Sequence, residues 1–209
     1  MKHVNKGVEP RSLTHYRAND PYPTYEGYRE KDDLRHALLI EQGDICCYCM
    51  ERIKTRKMKI EHWKPQTKCE NLQLDYRNLL GACLGREGQP QHLQHCDTRK
   101  GNELITINPT DENCESLVKF SKSGEIYSDN EEINKDLNDA LNLNMRRIVE
   151  NRKARLDKAL MDFGEKYPGK WTKDLLKREI RRWSPKQGPY KPYCQIVVFF
   201  LKKRLARCD

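Results

Sequence analysis

The chain has 209 residues, a formal net charge of +9, 34% charged residues and only 8% aromatic ones. That polarity excludes a core running unbroken along the chain and points to a compact centre with helical arms. The longest apolar run, residues 196–201, is far too short for a bilayer, and MKHVNKGVEPRS lacks the apolar stretch of a secretory leader, so a cytoplasmic protein without membrane contact is expected.

Residues 1–27 contain Pro10, Pro21 and Pro23 and read as an irregular arm. A helix is predicted from about Tyr28, with Asp32 or Asp33 near its start. Leu34, Ala37, Leu38 and Glu41 follow at helical spacing, and Gly43 is a left-handed stop. The CxxC of Cys46 and Cys49 comes next. A strand then ends in Lys59-Ile60-Glu61-His62, Pro65 opens a loop, and order resumes at Leu79 and Leu80. A loop over 85–94 leads to a short helix starting near Cys96. Leu104 to Ile107 alternates like a strand, and Pro109 stops it. Lys122-Ser123-Gly124 joins two apolar stretches as a β-hairpin.

Beyond Asp129-Asn130 the pattern turns helical. Ile133, Leu137, Ala140 and Leu141 form a stripe, broken over residues 141–144. Met145, Ile148, Val149, Arg152, Leu156, Leu160 and Phe163 form a second. Thr172 caps a helix carrying Leu175, Leu176, Ile180 and Trp183. Residues 184–189 read as a linker. Pro192 fits the first turn of a last helix lined by Ile196, Val197, Phe200, Leu201 and Leu205. The expected class is α+β, in three parts: an arm and helix over 1–44, a metal-stabilised core over 45–110, and a hairpin with helices over 111–209.

Residues 46–102 carry the chemistry. Nine cysteines in a reducing compartment point to metal ligation and free thiols rather than disulfides. Cys46, Cys49, Cys83 and Cys96 can close a structural zinc tetrahedron, with Cys47, His92 and His95 as competitors for a place in it. Cys69, Cys114, Cys194 and Cys208 have no evident partner. Hydrolysis of a phosphodiester needs an activated water, neutralisation of the charge building on phosphorus, and help for the leaving oxygen. Glu61 and Asp97 are hard oxygen donors suited to Mg²⁺ or Mn²⁺. His62 can take a proton near neutral pH. Asn78 can hold the loop after His62 through its backbone. Lys100 shares a helix face with Asp97 and, with Arg99, can meet a phosphate.

In order, CCYC, EHWKP, RNLL and CDTRK resemble the pattern of the HNH endonuclease family, whose site is the ββα-metal fold. The resemblance implies His62 as general base, Glu61 and Asp97 as ligands of the catalytic metal, and Asn78 as the residue steadying the base. Glu61 stands where the family usually has Asp, and Asp97 where it has His or Asn. The KGN, INP, SGEI and LNLN stretches look like the PtuB-like subgroup. That likeness implies a nuclease subunit of Septu or retron-associated antiphage systems, working with an ATPase that resembles PtuA. In a retron setting it also implies a reverse transcriptase and non-coding RNA or DNA. No GxxxxGK[ST] occurs in the chain, so such an ATPase would be another polypeptide. Other readings are a catalytically silent zinc module that binds nucleic acid or scaffolds a partner, and a ribonuclease acting on tRNA or other RNA.

The charge is uneven: residues 145–209 hold 19 Lys and Arg against 7 Asp and Glu, which leaves the rest of the chain at −3. A basic region beside an acidic centre suits a polyanion such as DNA or RNA. The arm over 1–27 and the apolar surplus at Ile196, Val197, Phe199, Phe200 and Leu201 can seat on the ATPase, the alternative being that Phe199 and Phe200 close the core against the helix from Met145 to Phe163.

Overall fold

The computed structural model describes residues 1–186 and 188–208, so Gln187 of the expected linker and the last residue, Asp209, lie outside the described part. The innermost element is the helix α7 at the far end of the chain, Cys194–Leu205, whose Cys194, Gln195, Ile196, Val197, Val198 and Leu201 are all buried. A helix apolar on every side belongs inside a protein. Around it pack α5 (Arg146–Lys166), α6 (Lys173–Trp183) and the strand β3 (Lys119–Phe120). Phe199 is half-buried, with its ring 5.8 Å from Phe120 and 5.4 Å from Phe200. Ile196, Val197 and Leu201 of the apolar surplus are buried in the protein's own core, and half-buried Phe199 packs on Phe120 of β3. Pro192 precedes α7 rather than lying in its first turn, because Tyr193 adopts a left-handed φ of 58° and turns the chain into the helix.

The arm is irregular only on either side of one helix. Arg11–Asn19 forms a helix, α1, with Pro10 just outside its first turn, where a missing N–H breaks no helical bond. Pro21 and Pro23 fall beyond its end, and Leu13 anchors it. Met1 and Val4 are buried, and the Val4 N–H donates to the Pro109 carbonyl at 2.8 Å. Lys6 pairs with Glu41 at 2.6 Å and donates to the Leu79 carbonyl at 2.9 Å. This ties the arm to α2 (Lys31–Glu41) and to the central hairpin.

That hairpin pairs β1 (Lys59–His62) antiparallel with β2 (Leu79–Ala82), in a register that sets Glu61 opposite Leu80 and His62 opposite Leu79. The helix α3 (Cys96–Lys100) follows. The strand expected at 104–107 does not form. Its Thr106 and Ile107 N–H groups donate to the Asp136 carboxylate at 2.6 and 2.9 Å instead of to a neighbouring strand. β3 pairs with β4 (Ile126–Tyr127), and Gly124 makes the turn at φ 96°. There a side chain would strike the Val149 carbonyl and the Lys153 backbone of α5. The helix α4 (Glu131–Lys135) is capped by Asn130 and runs into a wider π turn, Asp136–Ala140, before the expected break. Bonds also join the second and third sequence parts: Cys96 N–H to the Leu141 carbonyl at 2.9 Å, and Tyr193 N–H to the Met50 carbonyl at 3.1 Å.

Candidate functional site

Two sets of side chains meet on the β1–β2–α3 unit. The first is sulfur. Cys46 and Cys49 lie on the knuckle after α2, Cys83 follows β2, and Cys96 opens α3. All four are buried, and their Sγ atoms lie within 4.8 Å of one another. A Zn–S bond of about 2.3 Å gives a tetrahedron an edge of about 3.8 Å. Here Cys46 Sγ is 3.9 Å from Cys96 Sγ, and Cys49 Sγ is 3.8 Å from Cys83 Sγ. The donor set therefore fits zinc. Burial alone would push the Cys46 thiol upward, but hydrogen bonds from the surrounding thiols hold it well below its ordinary value, whereas Cys49, Cys83 and Cys96 are pushed up, so without a cation the cluster favours a single thiolate. Cys47 stays out of the cluster. His95 does not: its Nδ1 is 3.2 Å from Cys96 Sγ and 3.9 Å from Cys83 Sγ.

The second set lines an open cleft of about 580 Å³ between the end of β1, the loop after it and α3. Lys59, Glu61, His62, Gln66, Asp97 and Thr98 are among its walls. Glu61 and His62 are neighbours on a strand, so their side chains should point apart. Both reach the cleft because β1 ends at His62 and the chain turns there. Glu61 is 2% exposed, and its Oε1 accepts from Tyr48 Oη at 2.7 Å and from Lys100 Nζ at 2.8 Å. Burial raises the Glu61 carboxyl well above the usual carboxylate range, and the neighbouring Asp97 carboxyl raises it further. Carboxyls on one cleft wall repel unless a proton or a cation offsets their charge. Hard oxygen donors facing an open cleft fit a Mg²⁺- or Mn²⁺-sized ion.

His62 is held on both sides. Its Nε2 is 2.9 Å from the Gln73 carbonyl, which can only accept, so Nε2 carries the proton. Nδ1 then keeps its lone pair, with Gln66 Nε2 donating to it at 3.0 Å. Tyr25 stands edge-on to the ring at 4.5 Å. Burial lowers the imidazole's pKa, which keeps it neutral and able to accept a proton. Asn78 clamps the loop after His62: its Oδ1 accepts the Lys64 N–H at 2.8 Å, and its Nδ2 donates to the Lys64 and Leu72 carbonyls at 3.0 and 3.1 Å.

The two cations placed on a phosphate by their spacing sit elsewhere. Lys100 has no exposed side-chain surface; it pairs with Glu61 and donates to the His62 carbonyl at 3.0 Å. It shares a helix face with Asp97, but one turn further on it lies under β1 while Asp97 reaches the cleft. Arg99 is half-buried, with its guanidinium on the Asp139 and Gln91 carbonyls at 3.2 Å each, and it is not among the cleft's lining residues. The cation on the cleft wall is Lys59, 2.8 Å from Glu87 and 3.7 Å from Asp97. Its signal was in the sequence, since it lies two residues before Glu61 on a strand and so shares its face. Tyr48, inside the CxxC, carried no comparable signal.

No family model matches the chain. It is similar to "Retron Ec83 putative HNH endonuclease" of Escherichia coli, 29% identical over 98 residues, covering 41% of this chain and 38% of that protein. It is also similar to "Retron Vc95 putative HNH endonuclease" of Vibrio cholerae serotype O1 biovar El Tor, 28% identical over 97 residues, covering 45% and 46%. The chain thus spans less than half the length of the curated relatives it matches. These likenesses support kinship with the HNH endonucleases.

Proposed function

We propose that this chain is a metal-dependent HNH endonuclease of the ββα-metal kind, hydrolysing phosphodiester bonds in nucleic acid. The observation that carries this is the cleft, which Glu61, Asp97 and His62 line together, with the imidazole's Nε2 on the Gln73 carbonyl and its Nδ1 lone pair accepting from Gln66. On this reading His62 Nδ1 takes the proton of the attacking water, and Asn78 keeps the loop that positions His62. Lys100 is a positioning residue that holds Glu61 and the end of β1. Lys59, on the cleft wall, is the cation placed to meet a phosphate, while Arg99 stands outside the lining. A Mg²⁺ or Mn²⁺ held by Glu61 and Asp97 supplies charge neutralisation at phosphorus and at the leaving oxygen.

The names of the relatives add a setting: the nuclease of a retron. The PtuB-like features of the sequence extend it to an antiphage complex with an ATPase resembling PtuA, with a reverse transcriptase and its non-coding RNA or DNA nearby. DNA and RNA, tRNA included, both remain within reach of such a cleft, because nothing in it has to meet a 2′-hydroxyl. The reading of a catalytically silent zinc module has one observation in its favour: Glu61 is 2% exposed and already bonded to Tyr48 and Lys100. The discriminating experiment incubates the purified protein, alone and with the product of its neighbouring gene, with DNA and total RNA in Mg²⁺ or Mn²⁺. Metal-dependent cleavage is expected. No cleavage of either substrate under any of these conditions would leave the silent module standing.

A further inference from the structure

The sulfur cluster has an outer neighbour. Glu51, Cys83 and His95 form a second set whose ligand atoms all lie within 4.8 Å of one another. Cys83 belongs to both sets. We propose that Cys83 is a bridging thiolate and that Glu51 and His95 complete a second site for a zinc-like divalent cation, beside the closed four-cysteine site.

The donor chemistry supports this. One sulfur, one imidazole nitrogen and one carboxylate oxygen are all ligands zinc accepts, and three protein ligands leave a fourth position for water. Ligands at about 2.0–2.1 Å for nitrogen and about 2.3 Å for sulfur stand about 3.6 Å apart on one tetrahedral ion. Cys83 Sγ and His95 Nδ1 are 3.9 Å apart, close to that value without any cation drawing them together.

Charge supports it as well. Four thiolates around one Zn²⁺ leave a net charge of −2 in a place where Cys46, Cys49, Cys83 and Cys96 are each at most 6% exposed. Buried charge has to be balanced. A second dication offsets it more fully than the nearby cation on Glu51, Arg147, which stands 3.5 Å from that carboxylate and is largely exposed. Access differs between the sites too. Cys46 and Cys96 are fully buried, whereas the Glu51 side chain is 33% exposed and lines an open cavity with Arg52, Asn151 and Tyr193. The outer ion can therefore exchange with solvent while the inner one is locked in. The inference is independent of the nuclease reading.

The test is metal stoichiometry on the full chain. Protein purified with zinc and without chelator should carry about two zinc ions, and a mild chelator should remove one and leave the fold intact. His95→Ala and Glu51→Gln should each carry about one, with unchanged helical content. Titration of metal-free wild-type protein with Co²⁺ covers the case in which a variant fails to fold. The proposal requires two successive spectral steps, the first with the intense sulfur-to-metal bands of a tetrathiolate and the second weaker. A single Co²⁺ step, or one zinc per chain in wild type that His95→Ala leaves in place, would overturn it.

Discussion

Between residues 46 and 102 the protein buries Glu61, His62, Asn78, His95 and Lys100 among its cysteines, whereas α7 buries Ile196, Val197, Val198 and Leu201 with Gln195 as its one buried polar residue. Burying a polar or charged group costs free energy unless it finds a partner. In the central part each of these groups has a particular one: Glu61 has Tyr48 and Lys100, His62 has Gln73 and Gln66, Asn78 has the loop backbone, and His95 has the sulfurs. Around α7 the stabilisation comes from area and shape, which many aliphatic side chains can supply. The central part therefore depends on specific pairs around a cysteine cluster that could hold zinc, and the helical part on volume.

The strongest break of that contrast is Cys49→Ser or Cys96→Ser. Zinc binding at such a site is folding free energy, so zinc content should fall below one per chain and the centre should unfold, seen by elemental analysis and near-ultraviolet circular dichroism. Full zinc content and an unchanged spectrum would mean that the four sulfurs are ordinary buried thiols. Next comes Ile196→Ala, which should cost about 2–5 kcal/mol in denaturant unfolding and leave the zinc in place in the folded fraction; Ile196→Val should cost about 0.5–1.5 kcal/mol. Phe199→Asp, which sets a charge against Phe120, should cost about 1–3 kcal/mol. That loss should appear in the isolated protein, with no ATPase present. If stability holds while complex formation fails, Phe199 is a partner contact after all.

The smallest effect concerns the tie of the arm to the body. Burial would raise the Glu115 carboxyl, but the Lys2 hydrogen bond at 2.5 Å more than offsets it, and the pKa ends below the ordinary 4.5. A depressed folded pKa stabilises above the unfolded value and is lost as pH falls through the folded one. Lys2→Gln should therefore flatten the decline of stability below pH 4.5, with a difference of about 0.2–1 kcal/mol at neutral pH. An unchanged acid slope would show that the pair contributes nothing.

Much of the centre was legible in the sequence because its elements are short and local. Lys59 to His62 alternates, Pro65 ends it, and the CxxC announces its own knuckle. The depth of Lys100 was not legible. Its spacing from Asp97 gives a shared helix face, but only the packing of α3 against β1 decides that Asp97 reaches the cleft and Lys100 is buried. The helix at Arg11–Asn19 was hidden by Pro10, Pro21 and Pro23, all of which fall outside it. Alternation at 104–107 gave a false strand, because Asp136, about thirty residues on, takes the N–H groups a neighbouring strand would need. The apolar run of α7 looked like surplus only because a sequence does not say how many sides of a helix are covered.

The central claim is that the Glu61–His62–Asp97 cleft performs metal-dependent phosphodiester cleavage on a centre that zinc holds in shape. The most direct measurement compares wild type with His62→Ala and Asp97→Asn for cleavage of DNA and RNA in Mg²⁺ or Mn²⁺, with zinc content and thermal unfolding followed on the same preparations. Loss of a positioned general base costs about 100- to 10,000-fold in rate. Both variants should fall by at least that order while keeping the wild-type zinc content and a cooperative unfolding transition. Wild-type cleavage rates in a folded, zinc-replete His62→Ala protein would contradict the account.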